Sequence, residues 1–185
     1  MRYLDLVILG LLKEGPRYGY QIQQLIRQRH MDQYIRLAVS SMYKTLARLE
    51  REGYVKSHAQ QVGARPTRRI FHITPKGEEQ LRKLLEKAFR KIESYHDPLY
   101  AALTFAHHLP PQEVAGHLRA RLEWTQGMIR NLREHLEQVR GITEEYGVDT
   151  FYAQAILRGG IKGLSAEAEW LEELIRDLEE RRCSS

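Results

Sequence analysis

The chain has 185 residues and a single cysteine, Cys183, which excludes an intrachain disulfide and a thiolate metal cluster and is typical of a protein of the reducing cytoplasm. No apolar run approaches the roughly 18 residues needed to cross a bilayer, so a membrane-spanning protein is not expected. The net charge is +5, but residues 1–76 hold 14 Lys and Arg against 5 Asp and Glu, which indicates either a polyanionic partner or a solvated basic surface.

Two short helices are predicted at the start of the chain. Apolar residues at helical spacing from Leu4 to Leu12 predict the first helix, which ends before Gly15-Pro16 because that pair interrupts helices. The second helix is predicted from Tyr18 to Arg29 and has only a narrow apolar face. It is therefore expected to lie on the surface of the domain.

A third helix is predicted between a serine cap at Ser40 or Ser41 and a stop at Gly53. Met42, Leu46 and Leu49 fall on one side of this helix and are expected to be buried. The other side carries small and basic residues, with Tyr43 on its flank: Ser40, Lys44, Ala47, Arg48 and Arg51. Such a face is typical of a helix that enters the major groove of DNA.

A basic β-hairpin is predicted next. Residues 54–62 and 67–73 form extended stretches on either side of a turn at residues 63–66. Arg65, Arg68 and Arg69 cluster at and just after this turn, where the wing of a winged helix would contact the sugar-phosphate backbone or the minor groove. The alternative is an edge hairpin whose arginines only keep it soluble.

Long helices account for the rest of the chain. Thr74 and Asp97 each precede a proline and are predicted to cap helices over 75–95 and 97–106, and two further helices follow over 112–140 and from about residue 149. The last two carry apolar seams in which apolar positions alternate three and four residues apart. These seams can pack on each other, and apolar surface that remains favours a second copy of the chain, unless it packs against the first helix. The candidate dimer contacts are Leu4, Ile8, Ile161, Leu164, Leu171, Ile175 and Leu178.

Catalytic and metal-binding patterns are weak. His107 and His108 are adjacent, so on a helix their side chains diverge by about 100°, and no third ligand is evidently placed. The acid pairs are consecutive rather than facing, and no glycine-rich loop could cradle a phosphate. The sequence therefore predicts neither an enzyme nor a metal or cofactor site. Binding to a membrane surface is disfavoured because the basic residues are split between a helix and a hairpin tip.

Four segments of the first 85 residues closely resemble the PadR family of bacterial transcriptional regulators. They are ILGLL at 8–12, GPRYGYQI at 15–22, SMYKTLARLEREG at 41–53 and GARPTRRIFHITPKG at 63–77. The family usually has glycine where Ser40 and Ala64 stand here. The remaining hundred residues are similar, less densely, to the C-terminal helical domain of the virulence-activator branch of the family, in helix order and in WLEEL at 170–174.

The resemblance implies a mostly α-helical protein with three parts. These are an N-terminal winged helix-turn-helix with a β-hairpin wing at 1–76, a linker helix at 77–96 and an all-α dimerisation domain at 97–185. It also implies a cytoplasmic homodimer that places its two third helices in successive major grooves of a palindromic operator on double-stranded DNA, with repression as the family default. Tyr18 and Tyr43 are either DNA contacts or core and cap residues. The candidate DNA contacts are Tyr18, Ser40, Ser41, Tyr43, Lys44, Arg48, Arg65, Arg68 and Arg69.

Regulators that resemble PadR often respond to small aromatic molecules. Five aromatic residues are candidates for a pocket between the helical domain and its mate, or else for ordinary core packing: Phe105, Trp124, Phe151, Tyr152 and Trp170. The competing hypothesis for the whole chain is a coiled-coil scaffold or interaction protein whose basic end is incidental.

Overall fold

The computed structural model describes residues 3–29, 31, 39–60, 68–91, 97–147 and 149–183, and gives side chains for all of these except 39, 40, 146 and 181–183. The chain divides into two compact units, Met1–Ser94 and Tyr95–Ser185. The first unit contains α1 (Tyr3–Lys13), β1 (Arg17–Tyr18), α2 (Gly19–Gln28), α3 (Val39–Arg51), β2 (Val55–Gln60), β3 (Arg68–Ile73) and α4 (Pro75–Arg90). The second contains α5 (Pro98–Thr104), a 3₁₀ turn (Ala106–His108), α6 (Pro111–Tyr146) and α7 (Phe151–Cys183).

A small antiparallel sheet with the order β1-β3-β2 supports the helices of the first unit. Strands β2 and β3 are the predicted hairpin, in a register that places Ser57 opposite Phe71. Strand β1 adds to the other edge of β3 and places Tyr18 opposite Ile70. The sequence does not predict β1, because two residues are too few to show the alternation of a strand.

The core of the first unit lies between α1, α2, α3 and the sheet. Met42, Leu46 and Leu49 have at most 1 % of their surface exposed, which confirms the predicted inner face of α3. The predicted stop is also confirmed, because Gly53 has φ +77° and its amide bonds back to the Glu50 carbonyl oxygen at 3.0 Å. This arrangement is a winged helix-turn-helix, with α3 in the position of the recognition helix.

Helix α4 belongs to the first unit, which differs from the predicted linker at 77–96. The Thr74 side chain caps α4 by accepting from the Gly77 amide at 3.1 Å, as the sequence predicts. Leu84 is buried in the core of the unit, and Lys13 of α1 forms an ion pair with Glu78 at 2.8 Å. An amphipathic helix directly after the wing has apolar surface to bury, so it packs on α1 instead of spanning a gap.

The second unit is built around an antiparallel hairpin of α6 and α7. Both predicted seams are buried between these helices, with Leu118, Leu136 and Leu171 among the most buried members. Helix α6 continues six residues beyond its predicted end and stops at Gly147, whose φ of +65° is left-handed. Asp97 caps α5 by accepting from the Leu99 amide at 2.8 Å, which confirms the second predicted cap.

The burial of the seams corrects the candidate dimer contacts. Ile8 and Leu171 are fully buried inside their own units and have no surface to offer a second copy, and Ile175, 8 % exposed, has little. The remaining candidates are half-buried within the chain: Leu4, Ile161, Leu164 and Leu178. The physical reason is that two seams on consecutive antiparallel helices meet each other first.

No helix within the described residues combines the length and the apolar character that a membrane span requires.

Candidate nucleic-acid interface

An open cleft of about 630 Å³ lies between the recognition helix α3, the start of α2 and strand β3. Its lining is aromatic and basic, and includes four of the predicted contact residues, Tyr18, Tyr43, Arg68 and Arg69. The other lining residues are Gly19, Tyr20, Leu46, Ala47 and Phe71. The winged-helix fold therefore brings the predicted helix and wing residues to one surface, although they are more than twenty positions apart in the chain.

Tyrosines form one wall of the cleft. The half-buried Tyr18 stacks on Tyr20, with ring centroids 5.8 Å apart and an interplanar angle of 13°, and its hydroxyl donates to Gln60 Oε1 at 3.0 Å. Gly19 lies between this pair and Tyr43, and a Cβ at Gly19 would come within 2.7 Å of Tyr43 Cε1. The glycine thus leaves the space that the Tyr43 ring occupies.

The exposed side of α3 presents the predicted groove-facing residues. Ser41, Tyr43 and Lys44 are exposed, and 47 % of the Tyr43 surface is accessible. Within the described part of the chain, Lys44 has no acidic partner, so its charge is available to an external anion. Ser40 follows Val39 in the first turn of the same helix, so the predicted serine cap lies inside the helix, and the Ser40 side chain lies outside the described residues.

Arg48 does not lie on this face, contrary to the prediction. Its Nη2 contacts Asp5 Oδ1 of α1, its Nη1 bonds Glu52 Oε2 at 2.9 Å, and only 18 % of its side chain is exposed. Arg48 sits on the flank of α3, where a long side chain can turn back toward a carboxylate that is itself 11 % exposed. It ties the recognition helix to α1 instead of facing outward.

The two described wing arginines have different surroundings. Arg68 is exposed and lies over the Tyr20 ring at 5.1 Å, and it has no carboxylate partner among the residues described. Arg69 bonds both carboxylate oxygens of Glu50, at 2.9 and 2.8 Å, although 60 % of its side chain is exposed. Arg65 lies outside the described residues, so its role stays a prediction.

Two neighbouring histidines lie on the outer face of the sheet. His58 and His72 stack with ring centroids 4.9 Å apart, and Lys56 is directly opposite His72. Desolvation lowers the pKa of His72 below its ordinary value, and repulsion from His58 and Lys56 lowers it further. Nε2 of His72 is buried and has no hydrogen-bond partner among the described atoms.

The five aromatic residues proposed to line an effector pocket do not converge within the described chain. Trp170 stacks on Tyr100 at 5.8 Å, and Phe151 packs edge-on against Tyr152 at 5.2 Å. The hydroxyl of Thr150, which precedes Phe151, contacts Thr143 of α6. Thr143 is about 28 Å along that helix from Trp124. Phe105 and Trp124 are each 62 % exposed. A pocket that uses all five would need a second chain.

Several residues at the interface are not predicted from the sequence. Tyr20 could have been predicted as an interface residue, because it flanks Gly19 at the start of α2 just as Tyr18 does. Asp5, Glu50 and Ser57 give no such signal, since their roles come from ion pairs and hydrogen bonds between distant segments.

No metal-binding group of three or more His, Cys, Asp or Glu side chains occurs in the described parts of the chain.

Comparison with known families agrees with this architecture. The model of the PadR-like family of transcriptional regulators matches residues 8–83, and the model of the virulence activator alpha C-terminal domain matches residues 95–179. The chain belongs to the PadR-like family of transcriptional regulators, in the branch with a C-terminal helical domain.

Individual relatives match both units. The negative transcriptional regulator PadR of Bacillus subtilis (strain 168) is 23 % identical over 177 residues, which cover 95 % of this chain and 97 % of that protein. The crystal structure of Bacillus subtilis PadR in complex with operator DNA has a TM-score of 0.82 and 21 % identity, covering 96 % of this chain and 98 % of that one. The same regulator in complex with p-coumaric acid has a TM-score of 0.79 and 21 % identity, covering 96 % of each chain. A PadR-like regulator from Bacillus cereus has a TM-score of 0.70 and 22 % identity, covering 96 % of this chain and 99 % of that one.

Proposed function

We propose that the chain is a sequence-specific DNA-binding repressor that binds a palindromic operator as a homodimer. The observation that carries this proposal is the cleft beside α3, which exposed Tyr43 of the helix and exposed Arg68 of the wing line together. Exposed Lys44 follows Tyr43 on the same helix. Exposed cations without acidic partners in the described structure suit a polyanion, and a helix beside a wing suits the major groove with its adjoining backbone.

In this proposal α3 enters the major groove. Ser41, Tyr43 and Lys44 project from its exposed side and read base edges or hold the flanking phosphates. Arg68 contacts the sugar-phosphate backbone from the wing, and Arg65 is proposed to do so nearer the wing tip. Tyr18 buttresses the cleft through its stack with Tyr20 and its bond to Gln60, and reaches a phosphate only if its hydroxyl exchanges that bond.

Dimerisation is proposed because the second unit leaves large apolar side chains exposed. Trp124 on α6 is 62 % exposed, and three residues at the start of α7 are 55–75 % exposed: Phe151, Tyr152 and Ile156. Apolar patches of this kind on a helical hairpin favour a partner helix, and a second copy is the partner that a palindromic site requires. Two recognition helices would then face half-sites about one turn of DNA apart.

A small aromatic carboxylate is proposed as the effector that releases the operator. Support comes from the Bacillus subtilis PadR structure with p-coumaric acid, and from the exposed aromatic side chains on α6 and α7 that a second chain could cover. Such a ligand would act by binding the form that does not fit DNA more tightly than the form that does.

The test is fluorescence anisotropy with a duplex from immediately upstream of the protein's own gene, at several salt concentrations, against an unrelated duplex. We expect tight binding that resists the competitor and falls steeply with salt. Lys44→Ala should weaken operator binding without altering the sedimentation of the dimer, and Lys83→Ala on α4, also exposed, serves as the matched control. Equal weak binding to both duplexes by wild type would contradict the proposal and favour a scaffold.

A further inference from the structure

Three side chains from three elements meet at the base of the wing. Arg69 of β3 donates from Nη2 to both carboxylate oxygens of Glu50 on α3, at 2.9 and 2.8 Å, and from Nε to Ser57 Oγ on β2 at 2.9 Å. Ser57 Oγ in turn donates to Glu50 Oε1 at 2.7 Å. These bonds close a ring, called here the wing clasp, that joins the recognition helix to both strands of the wing.

The Glu50 end of the clasp is partly shielded from solvent, although 60 % of the Arg69 side chain is exposed. Only 26 % of the Glu50 side chain is exposed, and the Arg69 guanidinium lies over the Phe71 ring at 5.7 Å. An Arg-carboxylate pair with a shared hydroxyl has directional bonds that a lone surface ion pair lacks. Holding the guanidinium in this way leaves its Nε and Nη2 directed at the protein.

Arg68 provides a direct contrast within the same strand. Both arginines line the cleft beside α3. Successive strand residues point to opposite faces, so Arg68 turns away from the clasp and lies over Tyr20. No acidic side chain among the described residues binds it. Two adjacent arginines thus have different surroundings, one paired internally and one open to an external anion.

We propose that Arg69 and Glu50 are positioning residues for operator recognition, and that Arg69 is not a phosphate contact. The clasp fixes the wing against α3, so that Lys44 in the groove and Arg68 on the backbone engage the same DNA segment together. This inference rests on the proposed function, because it describes how one surface holds the operator. It differs from the prediction that all three wing arginines contact DNA.

The test compares five variants in the anisotropy assay, with the upstream duplex and the unrelated duplex at several salt concentrations. Glu50→Gln removes a negative charge near the DNA, so electrostatics alone would tighten binding. The clasp predicts the opposite, a loss of operator affinity on the order of five- to tenfold, with no loss on the unrelated duplex. Arg69→Gln should produce a similar loss without changing the slope of log affinity against log salt. The double variant should bind the operator no more weakly than the weaker-binding single variant, because both substitutions disrupt the same wing clasp.

Arg68→Gln is the matched control, because it removes the same charge from the neighbouring position and should lower the salt slope by about 0.9 per protomer, or about 1.8 for the dimer. Ser57→Ala changes no charge and should cause a smaller loss, which keeps the test valid if a charge variant unfolds. A dimer slope that falls by about 1.8 in Arg69→Gln, or tighter operator binding by Glu50→Gln, would overturn the proposal. Failure of the proposed function itself has a different signature, since wild type would then not prefer the upstream duplex at all.

Discussion

Arg48 should contribute to the stability of the first unit and not to the charge that meets DNA. Its side chain is 18 % exposed and its partner Asp5 is 11 % exposed. Removing one partner of a fully buried pair costs about 3–5 kcal/mol, because a charge is left in a poorly solvated place. Residual solvent at this site reduces that cost, so Arg48→Ala should lose about 2–3 kcal/mol of unfolding free energy. For a unit of this size the loss lowers Tm by roughly 10–20 °C.

Urea and thermal denaturation followed by circular dichroism measure this cost, with Lys44→Ala as the matched control on the same helix. Lys44 is exposed, so its variant should unfold within about 0.5 kcal/mol of wild type while losing operator affinity. At a temperature where both variants are folded, only Lys44→Ala should lower the salt slope of binding. If Arg48→Ala kept the wild-type Tm and flattened the salt slope instead, the ion pair with Asp5 would not hold in solution. The prediction that Arg48 faces DNA from the outer side of α3 would then stand.

Three further substitutions probe close approaches and titration. Gly77→Ala would place a Cβ 2.1 Å from the Tyr54 carbonyl oxygen, so urea denaturation should reveal a loss of about 1–3 kcal/mol or more, and wild-type stability would contradict that packing. Gly19→Ala meets the movable Tyr43 ring at 2.7 Å, so operator affinity should fall several-fold with little change in Tm; an unchanged affinity would mean that Tyr43 needs no fixed position. The pKa of His72 is lowered in the folded chain, chiefly by desolvation. The free energy of unfolding is therefore undiminished by this residue above the unfolded pKa, and it falls as the pH falls through the folded pKa. Denaturation between about pH 7 and pH 5 should therefore show a decline that is shallower in His72→Gln, and parallel curves would contradict it.

Periodicity predicts the recognition helix well, because the burial of Met42, Leu46 and Leu49 depends only on their spacing. It fails for Arg48, since a helical wheel gives the direction of a Cβ and not the position of a charge at the end of a long side chain. The acid that attracts Arg48 is 43 positions earlier in the chain. Glu50 and Arg69 are 19 positions apart, and their pairing likewise depends on the packed sheet.

The second unit illustrates a different limit. An apolar seam shows that a helix face is buried, but not whether its partner is in the same chain. Leu171 and Ile175 satisfy the seam pattern and are buried against α6. The side chains left for a second copy, such as Tyr152 with 75 % of its surface exposed, lie outside the seam. A dimer surface is therefore better sought among exposed apolar residues than among the most periodic ones.

The pairing of cations changes the expected electrostatics of operator binding. From the sequence, Lys44, Arg48, Arg65, Arg68 and Arg69 all qualify as contacts, and five contacts correspond to a salt slope of about −4.5 per protomer. The ion pairs of Arg48 and Arg69 withdraw two of them, which leaves about −2.7 from this set. Neutralising Lys44 and Arg68 together should therefore flatten the slope by about 1.8 per protomer, or about 3.6 for the dimer on its operator, whereas neutralising Arg48 and Arg69 together should leave it unchanged while weakening the fold and the specific affinity. Equal flattening by the two double variants would mean that DNA breaks both internal ion pairs, and that the count from the sequence is the right one.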